Sequence, residues 1–422
     1  MGNTKIDYVQ ILQQEIKAAT GCTEPIAVAY AAALAKKYAG KGEITKIDLL
    51  CSGNIIKNAM GVRIPGTAEC GVCMAAALGA IAGDPDQKLE VLDTISPSDV
   101  DTAKQLCKDR IFLITNPGGP KLYINVTIYT ADGQYGKAII QGTHDCIAYL
   151  EHNGKMIMES YPVPHDKSDI SPMGTINDVY QFVGSVAIDH LDIIARAVTL
   201  NTAISKAGLQ AGNGYQVGQL LTGMDSRENM FLYAIALTAA GSDARMAGVP
   251  MPVMSNSGSG NQGICATVPV AAIAEQSNAS YEEMLRACTL SNLIAIYAKQ
   301  SFGRLSPLCG AVAAAIGSSA GMVYLLGGGL EEIKSSIQNM LGSVMGMICD
   351  GAKSGCAMKV SACTFAAVQA ALVALSGKCI SSREGIIEKS AEESLENIGI
   401  ISEKGMAAMD SLLLKIMTQK EK

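Results

Sequence analysis

Hydrophobic residues in the first part of the chain follow two different periods. Over 5–37 they recur at helical spacing, with a break at 20–25, where Pro25 suits the first turn of a second helix. The segments that follow alternate between apolar and polar residues or form short apolar runs, as strands do. The predicted strands are 44–51, 111–115, 122–130 and 134–143, with a hairpin turn at 131–133 and a small-residue helix over 70–82. This mixture predicts an α+β domain over residues 1–168.

Beyond Ile176 the pattern changes to long segments rich in Ala, Leu, Ile and Met at helical spacing. Loops rich in Gly and Ser separate them, and β-branched alternation is almost absent. The predicted helices are 175–206, 225–240, 263–276, 281–299, 309–325, 329–347, 356–376 and 385–418. Prolines at 162 and 164 favour a linker before this region. We therefore expect a larger all-α domain over residues 169–422.

Composition narrows the class of protein. Of the 422 residues, 49% are hydrophobic and 17% are charged, so the chain can bury enough apolar surface to fold. A net charge of −6 and the lack of a basic block argue against nucleic acid and favour a small-molecule partner. The first residues lack the apolar stretch of a signal peptide, and the uncharged segment 310–330 is predicted to be a buried helix rather than a membrane span. We expect a cytoplasmic protein that does not bind a membrane. The sequence does not decide whether the protein forms a homodimer.

The 13 cysteines are an odd number, which argues against a disulfide framework in a cytoplasmic protein. Three of them, Cys309, Cys349 and Cys356, stand in the helical region beside turns that contain Gly. A turn can bring the last two thiolates to one centre, and Cys309, at a helix start, can supply a third. Three soft thiolates suit zinc or an iron–sulfur cluster and leave one position open for a substrate. Buried structural cysteines are the alternative, and spacing alone does not decide between them.

Two loops have the composition of anion-binding sites. The Ser-, Gly- and Asn-rich segment 255–263 runs into a predicted helix, whose first backbone N–H groups favour a carboxylate or phosphate. A flexible linker is the alternative, because the segment matches neither the P-loop nor the dinucleotide fingerprint. Segment 52–58 follows a strand and either binds an anionic substrate or forms a solvated turn. The candidate substrate-binding residues are Asn54, Lys57, Ser257, Gly258, Ser259, Gly260 and Asn261.

Cys22 lies directly before the second predicted helix, in the run Gly-Cys-Thr-Glu-Pro. A helix start lowers the pKa of a thiol and makes the thiolate available as a nucleophile or base. An ordinary helix start with an incidental cysteine is the alternative. Cys70 and Cys73 form a CxxC pair for which packing is favoured over redox chemistry. His144 is the best placed of the four histidines, but a satisfied surface side chain is predicted for it.

Taken together, the run at 21–25, the segment 257–263 and the trio Cys309, Cys349 and Cys356 resemble the L-cysteine desulfidase family. The order and the separations of these features agree with that family, and the resemblance covers nearly the whole chain. It extends more distantly to the bacterial iron–sulfur L-serine dehydratases, whose α-domain carries a similar cysteine trio. In those enzymes a Ser/His-rich motif replaces the run at 21–25, which favours cysteine as the substrate here.

The resemblance implies a [4Fe–4S] cluster held by Cys309, Cys349 and Cys356, with Cys22 as the base and no pyridoxal phosphate. The implied activity is that of an oxygen-sensitive lyase, which converts L-cysteine and water to pyruvate, ammonia and hydrogen sulfide by α,β-elimination. The alternatives are L-serine dehydration on the same cluster, a non-catalytic metal-binding sensor, and a pyridoxal phosphate lyase that uses Lys57. The last would need many parallel strands, which the helical second half does not offer.

Overall fold

The computed structural model describes residues 6–116, 119–161, 173–210, 212–223, 229–303 and 306–420. The α-helices in these ranges are α1 (Tyr8–Glu15), α2 (Thr23–Ala39), α3 (Gly53–Ala59), α4 (Val72–Ala82), α5 (Pro97–Asp109), α6 (Ile176–Ser185), α7 (Asp192–Gln210), α8 (Val217–Thr222), α9 (Met230–Met246), α10 (Gly260–Gln276), α11 (Tyr281–Phe302), α12 (Gly310–Leu325), α13 (Leu330–Ser343), α14 (Cys356–Leu375), α15 (Ala391–Ile400) and α16 (Met409–Gln419). The strands are β1 (Ala18–Thr20), β2 (Ile44–Ser52), β3 (Ile111–Asn116), β4 (Tyr123–Thr130), β5 (Tyr135–Gln141), β6 (Ile147–His152), β7 (Lys155–Glu159) and β8 (Pro252–Met254). The predicted linker prolines at 162 and 164, and the predicted helix start at 225, lie outside the described residues.

A six-stranded mixed sheet with the order β3-β2-β4-β5-β6-β7 forms the centre of the first region. Only β2 and β3 pair in parallel, and the other neighbours are antiparallel. Helix α2 packs against this sheet and is buried along most of its length because its small side chains permit close contact. A Cβ atom at Gly136 in β5 would lie 2.2 Å from the carbonyl oxygen of Ala35, so the helix and the sheet meet at backbone distance. The core between them is built from α2, α4 and the inward residues of β2, β4 and β5.

The helical region packs around α12, which is buried through nearly its whole length. Its neighbours are α10, α11, α13 and α14. A Cβ atom at Gly317 would lie 2.2 Å from the carbonyl oxygen of Ser291, which shows why α12 is made of Ala, Gly and Ser. The predicted fold class, an α+β region followed by a larger all-α region, is confirmed. In the described part of the chain, α14 alone combines the length and apolarity needed to cross a membrane, and half of it is buried in the protein.

Both ends of the described chain join the two regions. Strand β1 pairs with β8 in antiparallel register, and Tyr8, Ile11 and Leu12 of α1 belong to the helical core. At the other end, Asp410 in α16 forms a 2.7 Å ion pair with the buried Lys57 of α3. These contacts bring the run at 21–25 next to the loop that precedes α10.

Two long predicted helices are interrupted in the structure. The helix predicted over 175–206 ends at Ser185, and a short 3-10 turn (Ile188–His190) precedes α7. The helix predicted over 385–418 is divided into α15, a π-helical turn (Ile401–Gly405) and α16. Apolar residues continue through both breaks, so the hydrophobic pattern did not reveal them. The sequence pattern also missed α3, α5, α8, the 3-10 helix Pro85–Glu90, the exposed strand β7, and β1, β6 and β8.

Candidate active site

A polar cavity of about 100 Å³ lies where the two regions meet. The cavity is partly open to solvent and suits a small ligand. Its walls include side chains from α2, α3 and α10, the turn between β5 and β6, and the loop before α14. The sequence-predicted residues that line it are Asn54, Lys57, Ser257, Gly258, Ser259 and Cys349.

The turn before α10 is fixed by contacts with the N-terminal segment. The Thr23 hydroxyl donates a 2.8 Å hydrogen bond to the carbonyl oxygen of Gly258, and the backbone N–H of Ser257 donates to the carbonyl oxygen of Glu15. Ser257 and Gly258 have φ values of +49° and +85°, which permit the tight turn. Ser259 caps α10, because its hydroxyl accepts a hydrogen bond from the backbone of Gln262. The structure therefore makes this segment an ordered wall of the cavity.

Gly260 and Asn261 do not line the cavity. Asn261 accepts a 3.1 Å hydrogen bond from the buried Arg245, and a Cβ atom at Gly260 would lie 2.3 Å from the Nε atom of Arg245. These two residues thus support the turn from behind. Their predicted role in substrate binding is an indirect one in this geometry.

Replacing Gly258 by Ala is expected to raise the KM for the substrate. Its positive φ costs a residue with a Cβ atom about 1–2 kcal/mol, and that atom would lie 3.3 Å from the ring of His144 in the cavity wall. The matched control is Gly133→Ala, because Gly133 has a φ of +77° but no atom within 4 Å of the added Cβ. Both variants should lose a similar amount of thermal stability, and only Gly258→Ala should change KM. An unchanged KM in Gly258→Ala would mean that the turn is only a connection.

Glu24 in the first turn of α2 is the acidic group of the cavity wall, and Cys22 is its hydrogen-bond partner. The Cys22 Sγ atom donates to Oε2 of Glu24 at 3.1 Å, and Asn58 donates to Oε1 at 2.9 Å. The Nε2 atom of His144 lies 3.8 Å from Oε1. Cys22 itself is buried behind the wall, in an apolar cluster with Val62 and Met246, next to Cys356.

The expected low pKa of Cys22 is wrong for this structure. Burial, together with the negative charge of Glu24, raises the pKa of the Cys22 thiol well above its ordinary value, and the charge of Arg245 offsets this only in part. Burial works against ionisation of Glu24 as well, but contacts with His144 and Cys22 hold the pKa of that carboxyl below its ordinary range. The resting pair is therefore a thiol that donates to a carboxylate. The helix-start argument failed because Cys22 is fully enclosed.

The prediction of a satisfied surface position for His144 is also wrong. Its side chain is 9% exposed, it lines the cavity, and its Nε2 atom has no hydrogen-bond partner. Asp145, the next residue, forms a 2.6 Å ion pair with Lys17 and accepts a hydrogen bond from Thr143. This pair anchors the turn that presents the imidazole to Glu24.

Lys57 has a structural partner as well as a position in the cavity wall. Besides its ion pair with Asp410, its ammonium donates a 3.2 Å hydrogen bond to the carbonyl oxygen of Cys349. Lys57 therefore connects α16, the cavity and the cysteine-bearing loop. The sheet has one parallel strand pair, so the fold expected of a Lys57-based pyridoxal phosphate lyase is not observed among the described residues.

The segments around Cys309 and Cys349 run side by side. Leu308 and Ile348 form an antiparallel bridge, in which the N–H of Cys309 bonds to the Met347 carbonyl oxygen and the N–H of Cys349 to that of Pro307. In this pattern Cys309 and Cys349 are diagonal neighbours, which in a regular ladder lie about 7–8 Å apart on one face. Cys356 follows at the start of α14. The trio is therefore gathered at the beginnings of α12 and α14.

The electrostatics of the trio indicate proximity. Burial, with the neighbouring Cys349 and Cys356, raises the pKa of Cys309 to about 12. Burial raises the pKa of Cys356 too, and Cys349 adds to the effect. Lys359 lies beside them and bonds to the Ile348 carbonyl oxygen and to Asp350. The raised pKa values mean that ionisation of these thiols is unfavourable. A bound metal offsets this, because metal-bound thiols are deprotonated.

The donor chemistry of the trio is compatible with an iron–sulfur cluster, since such clusters are held by cysteine thiolates. Among the described residues, no three His, Cys, Asp or Glu side chains are placed to hold one metal ion. The positive ends of the α12 and α14 dipoles and the charge of Lys359 suit a cluster of net negative charge.

Several residues of the cavity wall were not identified from the sequence as functional. They are Glu24, Asn58, Gln262 and Lys299, all of which are buried. Glu24, Asn58 and Gln262 had a local signal, because they belong to the segments 21–25, 52–58 and 255–263. Lys299 lies in α11, whose pattern gives no sign of a polar cavity.

Comparison with known proteins places this site in a family. The family described as serine dehydratase alpha chain matches residues 86–415. A UPF0597 protein of Porphyromonas gingivalis is 40% identical over 99% of both chains. UPF0597 proteins of Oleidesulfovibrio alaskensis and Phocaeicola vulgatus are 41% and 42% identical over 98% of this chain, and over 98% and 97% of their own lengths.

The fold and the site thus define a lyase-type enzyme related to the serine dehydratases. The chain belongs to the serine dehydratase alpha chain family, and over its full length it is similar to the UPF0597 proteins. These matches include the helical region with all three candidate cluster ligands.

Proposed function

We propose that this protein is a cytoplasmic iron–sulfur lyase that converts L-cysteine and water to pyruvate, ammonia and hydrogen sulfide. One observation carries the proposal: Cys349 lines the same small cavity as the 257–259 turn and Glu24, the hydrogen-bond partner of Cys22. A candidate metal-binding thiol, a candidate anion-binding turn and the carboxylate that accepts the Cys22 hydrogen bond therefore line one small cavity.

Cys309, Cys349 and Cys356 are the proposed ligands of a [4Fe–4S] cluster. When bound through three thiolates, such a cluster would keep one iron without a protein ligand and would supply a Lewis acid for the leaving sulfur. Lys359 and the two helix starts offset the negative charge of the thiolates. Lys57 donates a hydrogen bond to the Cys349 carbonyl oxygen. This contact holds Cys349, one of the three proposed ligands, at the cavity wall.

The other residues bind the substrate and accept its proton. The proposed position of the substrate carboxylate is the 257–259 turn at the start of α10, where the helix dipole favours negative charge. Cys22 is the proposed acceptor of the α-proton. Because burial and Glu24 raise the pKa of the Cys22 thiol, Cys22 can accept the α-proton only after its own proton has left, and the thiolate is then a strong base. The 3.1 Å hydrogen bond to Glu24 orients the thiol.

L-Serine is the second candidate substrate, since the family is that of serine dehydratase alpha chains. The run Gly-Cys-Thr-Glu-Pro favours L-cysteine, because the serine dehydratases that the sequence resembles have a Ser/His-rich motif there. Both reactions remove the α-proton and a β-substituent, so the same residues would serve either substrate.

Anaerobic purification with an iron and acid-labile sulfide count, followed by pyruvate and sulfide assays with both amino acids, tests the proposal. We expect bound iron and faster pyruvate formation from L-cysteine, with one sulfide per pyruvate. Faster turnover of L-serine than of L-cysteine would identify the protein as a serine dehydratase instead. Iron without turnover of either would favour a sensor, and activity in an iron-free protein would exclude the proposed mechanism.

A further inference from the structure

A chain of buried amide side chains, whose orientations are fixed by hydrogen bonds, ends at Gln262 in the cavity wall. Asn292 donates through Nδ2 to the Cys288 carbonyl oxygen at 2.9 Å, so its Oδ1 is an acceptor. Asn256 donates to that Oδ1 and to the Asn292 carbonyl oxygen, at 3.0 Å and 3.2 Å. Gln262 donates through Nε2 to the Oδ1 of Asn256 at 2.9 Å. The backbone carbonyl oxygens of Cys288 and Asn292 thus fix the orientation of the whole chain. Gln262 uses its Nε2 as the donor, and its Oε1 is the atom that takes no part in the chain.

That remaining atom is an oxygen in the cavity wall. Gln262 is fully buried, and its Oε1 has no hydrogen-bond partner. A Cβ atom at Gly310, the residue after Cys309, would lie 2.9 Å from this oxygen. The unpaired acceptor is thus adjacent to one of the proposed cluster ligands. Because an unpaired buried acceptor is costly, it indicates a ligand that donates hydrogen bonds.

Asn58 presents a second acceptor in the same cavity. Its Nδ2 donates to Glu24, and because an ionised carboxylate only accepts, its Oδ1 is the free atom. Asn58 is 8% exposed, and both it and Gln262 line the cavity. The carboxylate of Glu24 adds negative charge to this wall. Two amide oxygens beside a carboxylate match a cation with several N–H donors.

We propose that Gln262 and Asn58 form an ammonium subsite, which makes a free α-amino group a requirement for substrates. The inference rests on the proposed function, because it names the residues that select an amino acid in that site. An ammonium offers three donors and no lone pair, whereas a hydroxyl offers one donor and turns its own lone pairs toward the acceptors. The substrate carboxylate then faces the 257–259 turn.

Binding of three non-reactive ligands to the anaerobic iron-loaded protein tests this subsite. L-Alanine, L-lactate and propionate share a carboxylate and lack a β leaving group, and they differ in the α-substituent. Calorimetry should show L-alanine binding roughly ten- to a hundred-fold more tightly than the other two, as expected for hydrogen bonds to a charged group. Equal affinities, or no binding of L-alanine, would overturn the proposal.

The variants Gln262→Met and Asn58→Leu are each expected to raise the Kd of L-alanine roughly ten-fold or more and to leave that of L-lactate unchanged. They should raise KM for L-cysteine more than they lower kcat. Gln338→Met is the matched control, because Gln338 is a buried amide of α13 that does not line the cavity. If both variants keep the wild-type preference for L-alanine over L-lactate, the proposed ammonium subsite is wrong. If selectivity is present and lost as expected but no pyruvate forms, the subsite stands and the proposed reaction fails.

Discussion

Replacing any one of Cys309, Cys349 or Cys356 by Ala is expected to remove bound iron and lyase activity together. The three thiolates come from two adjacent strand-like segments and one helix start, and the loss of any one leaves only two of the proposed ligands. Iron and acid-labile sulfide per chain after anaerobic reconstitution are the measurements. Exposure of the wild type to air should give the same loss, reversible with iron, sulfide and reductant.

Two neighbouring thiols provide the critical controls. Cys265 and Cys363 interact electrostatically with Cys309, yet both are buried in the helical core. Cys265→Ala and Cys363→Ala should keep their iron, as should Cys379→Ala at an exposed position. Loss of iron from Cys265→Ala or Cys363→Ala, with retention in one of the trio variants, would identify a different ligand set. Retention by all three trio variants would contradict the cluster assignment.

The Cys22→Ala variant is expected to keep its iron and bind L-cysteine, but to turn over about 10²–10⁴-fold more slowly. The reason is that loss of a general base removes the acceptor of the α-proton without removing a cluster ligand. Cys22→Ser should be nearly as slow, because a hydroxyl in the same enclosure gives up its proton even less readily than the thiol. The measurement is exchange of the substrate α-hydrogen with deuterated solvent under anaerobic conditions.

The same exchange experiment includes the variant Glu24→Gln. Two outcomes would contradict the role of Cys22 as the base. Glu24→Gln removes the charge that accepts the Cys22 hydrogen bond, so it should slow exchange while retaining iron. Loss of iron from Cys22→Ala would instead make Cys22 a ligand, which its position next to Cys356 makes a meaningful test. Normal exchange in Cys22→Ala would move the base elsewhere, and His144, which faces the cavity, would be the next residue to replace.

The sequence pattern was informative where local periodicity determines structure. The alternation in β2 and β4 and the helical spacing of α10, α11 and α12 predicted these elements to within three residues. The breaks after Ser185 and at 401–405 were missed, because they depend on packing and not on a change in hydrophobic period. Short strands such as β1 and β8 exist only through their mutual pairing.

The candidate site likewise has features that could be predicted from the sequence and features that could not. Cys22, the 257–259 turn and the cysteine trio were candidates by residue type and spacing, but only the family resemblance favoured a functional role for them. The protonation state of Cys22 could not, since it depends on enclosure by residues such as Val62 and Met246 and on Glu24. The position of His144 likewise depends on a turn between two strands meeting α2 and the turn before α10.

The long-range closure of the cavity has a consequence for maturation in the cell. Its walls are held by contacts between residues far apart in sequence, such as Thr23 with Gly258 and Lys57 with Asp410. Contacts of this kind form late, because the entropy of closing long loops must be overcome first. The cysteine trio comes from a much shorter stretch, so a folding intermediate can present all three thiols before the cavity walls are assembled. Iron can therefore be delivered during folding as well as to the folded protein, whereas substrate binding needs the completed walls.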